Sequence, residues 1–215
     1  MGIGVARPIP PWQQLLQEKP VAAIIIAHVA NNYGSYVILS WVPTYFASLG
    51  VEVSSLGLYS VMPYIAYFVI DNVWAAHVDG QITRGNWSIE RGRKVSQALS
   101  FIGPSIFLLV LALAPIGNSA LTASIVLSLA VGLTATGHSG FAANMVDIAP
   151  GHAGYVMGLS NTFATVPGVF GNILTGLILD RTGSYTYVWL STIAVYLSGC
   201  VVFHAWSKGN EVLYV

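Results

Sequence analysis

The sequence predicts an all-α membrane protein built from six transmembrane helices, and three observations carry that prediction. Of its 215 residues, 55% are hydrophobic and only 7% are charged, whereas a soluble domain carries about a quarter charged residues. The apolar residues gather into six runs, at approximately 20–47, 55–78, 95–114, 120–141, 154–179 and 185–206. Each is long enough to cross a hydrocarbon core of about 30 Å. Threading those runs through a bilayer puts Arg7, Lys19, Arg84, Arg91, Arg93, Lys94 and Lys208 on one side and Arg181 alone on the other. Basic residues concentrate on the inner side of a membrane, so both termini are expected to face the cytoplasm or an equivalent compartment such as the stroma. The Asn86-Trp87-Ser88 sequon then stays inside, out of reach of glycosylation.

Residues 1–19 hold no signal peptide, since Pro8, Pro10 and Pro11 break any helix and no apolar core follows a basic start. The stretch Trp12–Lys19 is expected to form a short interfacial helix. In the first span His28, Asn31, Asn32 and Ser35 fall at i, i+3, i+4 and i+7, on one helix face. Such a face borders a polar cavity or hydrogen-bonds to a neighbouring helix. In the second span Asp71 lies about two turns above Asp79. A carboxylate at that depth must pair, take a proton or meet water, so Asp71 is a candidate ion-coupling residue; bonding to amides near the inner surface is the alternative.

The 79–94 connector is the one charged loop of any length. Asp79 with Arg91, Arg93 and Lys94 is expected to latch the inner surface by charge pairing. At the end of the fourth span, Gly140, Asn144 and Asp147 share a face, with Asp147 placed to cap backbone amides. A turn at Pro150-Gly151 leads into the fifth span. There Gly154, Gly158, Asn161, Thr165, Gly168 and Asn172 form one stripe of small and polar side chains. Pro43, Pro63, Pro104 and Pro167 lie inside spans and predict kinks. Spans two and five share a glycine-to-aspartate spacing, Gly57 to Asp79 and Gly158 to Asp180, as an inverted repeat requires. Residues 207–215 form an inner tail.

Several functions are disfavoured. A formal net charge of zero argues against a basic surface, and no nucleic-acid partner is expected. Cys200 is alone, and the five histidines lack ligand spacing, so no metal and no cofactor are expected. Gly137-His-Ser-Gly140 with His204 resembles the serine and histidine of rhomboid intramembrane proteases, but nothing supplies a base beside Ser139 or an oxyanion site. No Lys or Arg lies within the six predicted spans, so the cation that meets an anionic substrate must come from elsewhere.

Longer motifs fit one family. They are Asn32-Tyr-Gly-Ser-Tyr36 with Trp41-Val-Pro-Thr-Tyr-Phe46, Leu56-Gly-Leu-Tyr-Ser-Val-Met-Pro-Tyr64, and Ser139-Gly-Phe-Ala-Ala-Asn-Met-Val-Asp-Ile-Ala-Pro150. Ala153-Gly-Tyr-Val-Met-Gly-Leu-Ser-Asn-Thr162, Pro167-Gly168 and Thr182-Gly183 follow in order. Together these resemble the carboxyl-terminal half of the anion:cation symporter family of the major facilitator superfamily, which includes sodium–phosphate cotransporters, sialin and plastid phosphate transporters. Within that pattern the family-motif positions are Pro43, Pro63, Asn144, Asp147, Pro150, Gly158, Asn161 and Pro167.

The resemblance implies helices seven to twelve of a twelve-helix transporter, with residues 1–19 as the linker between halves and 20–206 as the bundle. It implies a small-anion substrate such as inorganic phosphate, a sodium or proton gradient as driving force, and the amino-terminal half of the same transporter as partner, in a plastid, plasma or vacuolar/lysosomal membrane. His28, Asn31, Asn32, Ser35, His138, Asn161 and Thr165 are the expected pathway residues. Two departures stand out: Asn31 or a neighbour replaces the seventh-helix arginine of vesicular glutamate transporters, and Asp71 replaces a small or amide residue. A self-contained six-span homodimeric carrier is the alternative arrangement.

Overall fold

The computed structural model describes residues 12–113 and 119–212. The first eleven residues of the expected linker, the end of the expected third span at 114, and tail residues 213–215 lie outside the described residues. The helices are α1 (Trp12–Gln17), α2 (Lys19–Ser48), α3 (Val53–Thr83), α4 (Ile89–Leu113), α5 (Ala120–Thr134), α6 (Phe141–Ile148), α7 (Ala153–Ala164), α8 (Val166–Thr182) and α9 (Tyr185–Trp206). A 3-10 turn, Ala135–Ser139, joins α5 to α6, and Thr165 alone parts α7 from α8. These pairs each make one crossing, so six helical segments are long and apolar enough to span a membrane. With no strand among the described residues, this is the architecture of the carboxyl-terminal half of a major facilitator fold.

Local chemistry explains the element ends. The Ser119 hydroxyl accepts the Thr122 N–H at 3.3 Å to start α5, and Ser184 accepts the Thr186 N–H at 3.2 Å to start α9. Gly183 ends α8 at φ 62°, a left-handed conformation that costs glycine nothing, and its N–H reaches the Leu179 carbonyl at 2.8 Å. The charged 79–94 connector is shorter than expected. Helix α3 runs on to Thr83 and α4 begins at Ile89, so Glu90, Arg91, Arg93 and Lys94 are helical. Charge ends an apolar run but not a helix. Here Ser88 accepts the Arg91 N–H at 3.1 Å and Glu90 sits in the first turn, where a negative charge suits the helix dipole. Helices α2, α3 and α4 continue through Pro43, Pro63 and Pro104, whereas the α7–α8 discontinuity comes just before Pro167.

Helix α9 packs against both α2 and α4. The buried side chains of these three helices include Phe46, Phe101, Trp189, Tyr196 and Phe203. Close approach depends on Gly199, where an added Cβ would lie 2.7 Å from the Ala30 methyl and 3.1 Å from the Phe101 ring. Helix α3 leans on α5 and buries only Pro63 and Val78. Helices α7 and α8 bury Val156, Ser160, Ala164, Pro167, Gly171 and Thr175, and leave Met157, Phe163, Val169, Phe170 and Ile173 exposed.

The substitution Gly199→Val is expected to lower the stability of the detergent-solubilised protein by about 1–3 kcal/mol, the usual cost of overpacking. Thermal unfolding followed by size-exclusion chromatography checks it, and an unchanged melting temperature would contradict the α2–α9 contact.

Candidate transport site

The sequence treated 120–141 as one continuous span, but the structure interrupts it at Ala135–Gly140. Helix α4 presents a polar ladder to that interruption. The buried Gln97 accepts the Phe141 N–H through Oε1 at 2.9 Å, opening α6. Ser100 donates to the Thr134 carbonyl at 3.0 Å, and Thr136 donates to the Ser96 carbonyl at 3.1 Å. A Cβ at Gly140 would sit 2.6 Å from Gln97 Oε1, so glycine there admits the amide. Backbone groups released from a helix at membrane depth need partners, and α4 provides them. Sequence reasoning missed Ser96, Gln97 and Ser100, although the i, i+1, i+4 spacing of polar residues in an apolar run was a readable signal.

The interruption carries His138 out toward α3. His138 Nδ1 lies 3.2 Å from both oxygens of Asp71, and Nε2 lies 3.2 Å from the Tyr67 hydroxyl. Asp71 is near the middle of α3, a helix of 31 residues. His138 is half exposed and Asp71 about a third exposed, on the open side of the bundle. Two residues with separate expected roles, pathway lining and ion coupling, thus form one hydrogen-bonded unit with Tyr67. Asp71 has a partner of complementary charge when the imidazole is protonated, which meets the cost of a carboxylate at this depth.

The expected polar face of α2 divides. His28 Nδ1 meets the Ser160 hydroxyl at 2.8 Å and its ring stacks on Phe141, while Asn32 donates to the Ala164 carbonyl at 3.0 Å. These two hydrogen bonds tie α2 to α7. Asn31 is buried with its Oδ1 unpartnered, and Ser35 donates to the Asn31 carbonyl at 2.9 Å. Ser35 lines a cavity of ≈ 290 Å³ with Tyr36, Tyr64, Tyr67, Thr134 and Tyr196.

The small-residue stripe also divides. Gly154, Gly158 and Asn161 are exposed on α7, as is Thr165 just after its end, with nothing close to the two glycines. Gly168 packs on the Tyr36 ring, and the Asn172 side chain accepts the Trp41 indole N–H at 3.0 Å. Only the α7 part is left open, because the α8 part is occupied by α2.

At the inner end the charge pairing differs from expectation. Arg93 grips Asp147 with two bonds, Nε at 2.6 Å and an Nη at 3.2 Å, and its other Nη donates to the Ser139 carbonyl at 3.3 Å. Lys94 pairs with Glu90, and Arg91 lies over the Trp87 ring. Asp79 is exposed and joins no ion pair among the described residues. It lies on α3, whereas a bidentate guanidinium needs the carboxylate that α6 presents. Asp147 is therefore an ion-pair partner and not a backbone cap. Asn144 donates to the Lys208 carbonyl at 2.7 Å and Val212 N–H to the Ile148 carbonyl at 2.9 Å, fastening the tail. Pro150 follows in the turn after α6, and Ser139 makes no contact with His204, which hydrogen-bonds the Cys200 carbonyl of its own helix. The protease pairing is absent.

Asp147→Asn is expected to cost about 3–5 kcal/mol, since a largely buried guanidinium loses its counter-charge, whereas Asp79→Asn should leave the melting temperature unchanged. Equal losses for the two variants would contradict this pairing.

Comparison with known proteins bears on the whole bundle. No protein-family model matches the sequence. The probable anion transporter 4, chloroplastic, of Oryza sativa subsp. japonica is 34% identical over 94% of this chain and 34% of its own length. The ascorbate transporter, chloroplastic, of Arabidopsis thaliana is 36% identical over 94% of this chain and 37% of its own. The sodium-dependent phosphate transport protein 1, chloroplastic, of Arabidopsis thaliana is 33% identical over 94% of this chain and 39% of its own. The chain thus spans well under half the length of these relatives. Over nearly its whole length the chain is similar to part of these plant transporters, and its six membrane-length helices make it an integral, multi-pass membrane protein.

Proposed function

We propose that this bundle is the carboxyl-terminal half of a secondary active transporter that carries a small anion by alternating access, driven by sodium ions or protons. The observation that carries the proposal is the similarity to anion transporters over 94% of the chain. The surface agrees with it. Helix α3 buries only two side chains, Pro63 and Val78, and the outward face of α7 is lined by Gly154, Gly158 and Asn161, continued by Thr165 at its end. A second six-helix bundle, the amino-terminal half of the same transporter, would cover α3 and α7. The two halves would rock about a site near mid-membrane.

In that arrangement Asp71, His138, Tyr67 and the tyrosine-lined cavity face the junction, and the small side chains of α7 let the halves slide closely. The Arg93–Asp147 clasp and the fastened tail keep the inner end of the bundle rigid while it moves. No Lys or Arg lines the cavity, so a fixed cation for the substrate would come from the partner half. Both termini lie on the inner side, cytoplasmic or stromal, with lipid around the remaining faces.

Uptake of labelled phosphate or ascorbate into proteoliposomes by the complete transporter tests the proposal. Gradient-dependent accumulation of at least one anion is expected, and none of any organic or inorganic anion would refute it. Asn161→Leu is expected to reduce the uptake rate about tenfold or more at unchanged expression, because a bulky side chain there obstructs the contact between halves. Unchanged uptake would make the exposed stripe of α7 irrelevant to transport.

A further inference from the structure

We propose that the Asp71–His138–Tyr67 unit is a proton-binding site that switches the Tyr67 hydroxyl between facing His138 and facing the anion. The proposal rests on anion transport as proposed above, and it selects the proton over sodium as the coupling ion at this site.

The argument begins with hydrogen-bond donors. An imidazole held by a carboxylate at Nδ1 keeps its Nδ1–H there, which leaves Nε2 as a bare acceptor when the ring is neutral. Tyr67, 3.2 Å from Nε2, must then donate its O–H to the histidine. When a proton from solution binds Nε2, both ring nitrogens become donors. Nε2–H now points at the Tyr67 oxygen, which becomes the acceptor, and the Tyr67 O–H is released to another partner. One proton is gained by the ring, none is lost, and Asp71 stays ionised as its counter-charge.

The released O–H has a place to go. Tyr67 lines the ≈ 290 Å³ cavity together with Tyr36, Tyr64 and Tyr196. Tyr196 is fully buried, and its hydroxyl has no hydrogen-bond partner. Tyr36 and Tyr64 likewise make no side-chain hydrogen bond among the described residues, whereas the Ser35 and Thr134 hydroxyls are spent on helix carbonyls. The Tyr196 hydroxyl is closed off against Gly34, so Tyr36 and Tyr64 are the O–H donors open to the cavity, and with a released Tyr67 they complement an oxyanion such as a phosphate or an enolate. Protonating His138 adds one more donor and one positive charge beside the cavity. Anion and proton each favour the other's binding, which is the thermodynamic requirement for carrying them together.

The charged and titratable groups around His138 do not replace this role. On α3 they are Asp71 and Tyr67. On α2, His28 is committed to Ser160. On α4, Arg93 reaches the Ser139 carbonyl next door but is neutralised by Asp147 of α6. On α9, Tyr196 is neutral and buried.

The test uses the complete transporter in proteoliposomes, with labelled phosphate and, separately, labelled ascorbate, which remains a monoanion across the range studied. Transport under a gradient, counterflow at equal pH, and dye-reported proton entry are measured between pH 5.5 and 7.5. The wild type should bind the anion about five-fold or more tightly at the acid end, and protons should enter with it. Tyr67→Phe and His138→Gln should lose the acid-enhanced affinity, and Asp71→Asn should lose gradient-driven accumulation. Acid enhancement persisting in both Tyr67→Phe and His138→Gln would overturn the switch. So would wild-type transport driven by sodium with no proton entry, a measurement that decides the matter even if the variants do not fold. Absence of uptake and counterflow in the wild type would instead refute the anion-transport proposal itself.

Discussion

The structure depends on keeping backbone polar groups satisfied where the fourth crossing stops being an α-helix. Between Ala135 and Gly140 the chain gives up regular helical bonds inside a segment that lipid and protein surround, where each unpaired N–H or C=O costs several kcal/mol. Arg93, Gln97 and Ser100 on α4 meet that demand at the Ser139 carbonyl, the Phe141 N–H and the Thr134 carbonyl, and Gly140 makes room for the amide. The return is position. A straight α-helix would carry the residue at 138 along its own axis, whereas the 3-10 turn sets His138 against Asp71 and Tyr67 of α3.

The same crossing links the mid-membrane unit to the inner surface. Arg93 binds Asp147 at the end of α6 and the Ser139 carbonyl at the end of the turn, so one guanidinium holds both ends of the segment that follows His138. Asn144, on the same helix, fastens the tail through Lys208. The Asn144-x-x-Asp147-Ile-Ala-Pro150 motif is thus a structural clasp rather than a substrate site. Ion pairs of this kind are costly to break but add little when compared with an apolar replacement, so their value lies in fixing geometry.

Much of this was legible in the sequence. Composition and the six apolar runs gave the fold class, because crossing a bilayer leaves a long, unmistakable signature in one dimension. The polar positions at depth, His28, Asn31, Asn32, Asp71 and His138, were visible for the same reason. Their pairing was not. A helical face shared by His28, Asn31, Asn32 and Ser35 does not reveal that α7 would take His28 and Asn32 while Ser35 kept to a cavity. Asp71 and His138 stand 67 positions apart, and the turn that joins them depends on side chains of a third helix. Asp79, Arg91, Arg93 and Lys94 read as one charged loop in the sequence, whereas the partner of Arg93 comes from α6, 54 residues away.

The most direct measurement is the density of the complete transporter in lipid nanodiscs by electron cryomicroscopy, at a resolution that shows side chains. The account predicts an interrupted helix at Ala135–Gly140, with the Gln97 amide against the Phe141 N–H and the His138 ring between Asp71 and Tyr67. An unbroken α-helix through those residues, with His138 turned away from α3, would contradict it.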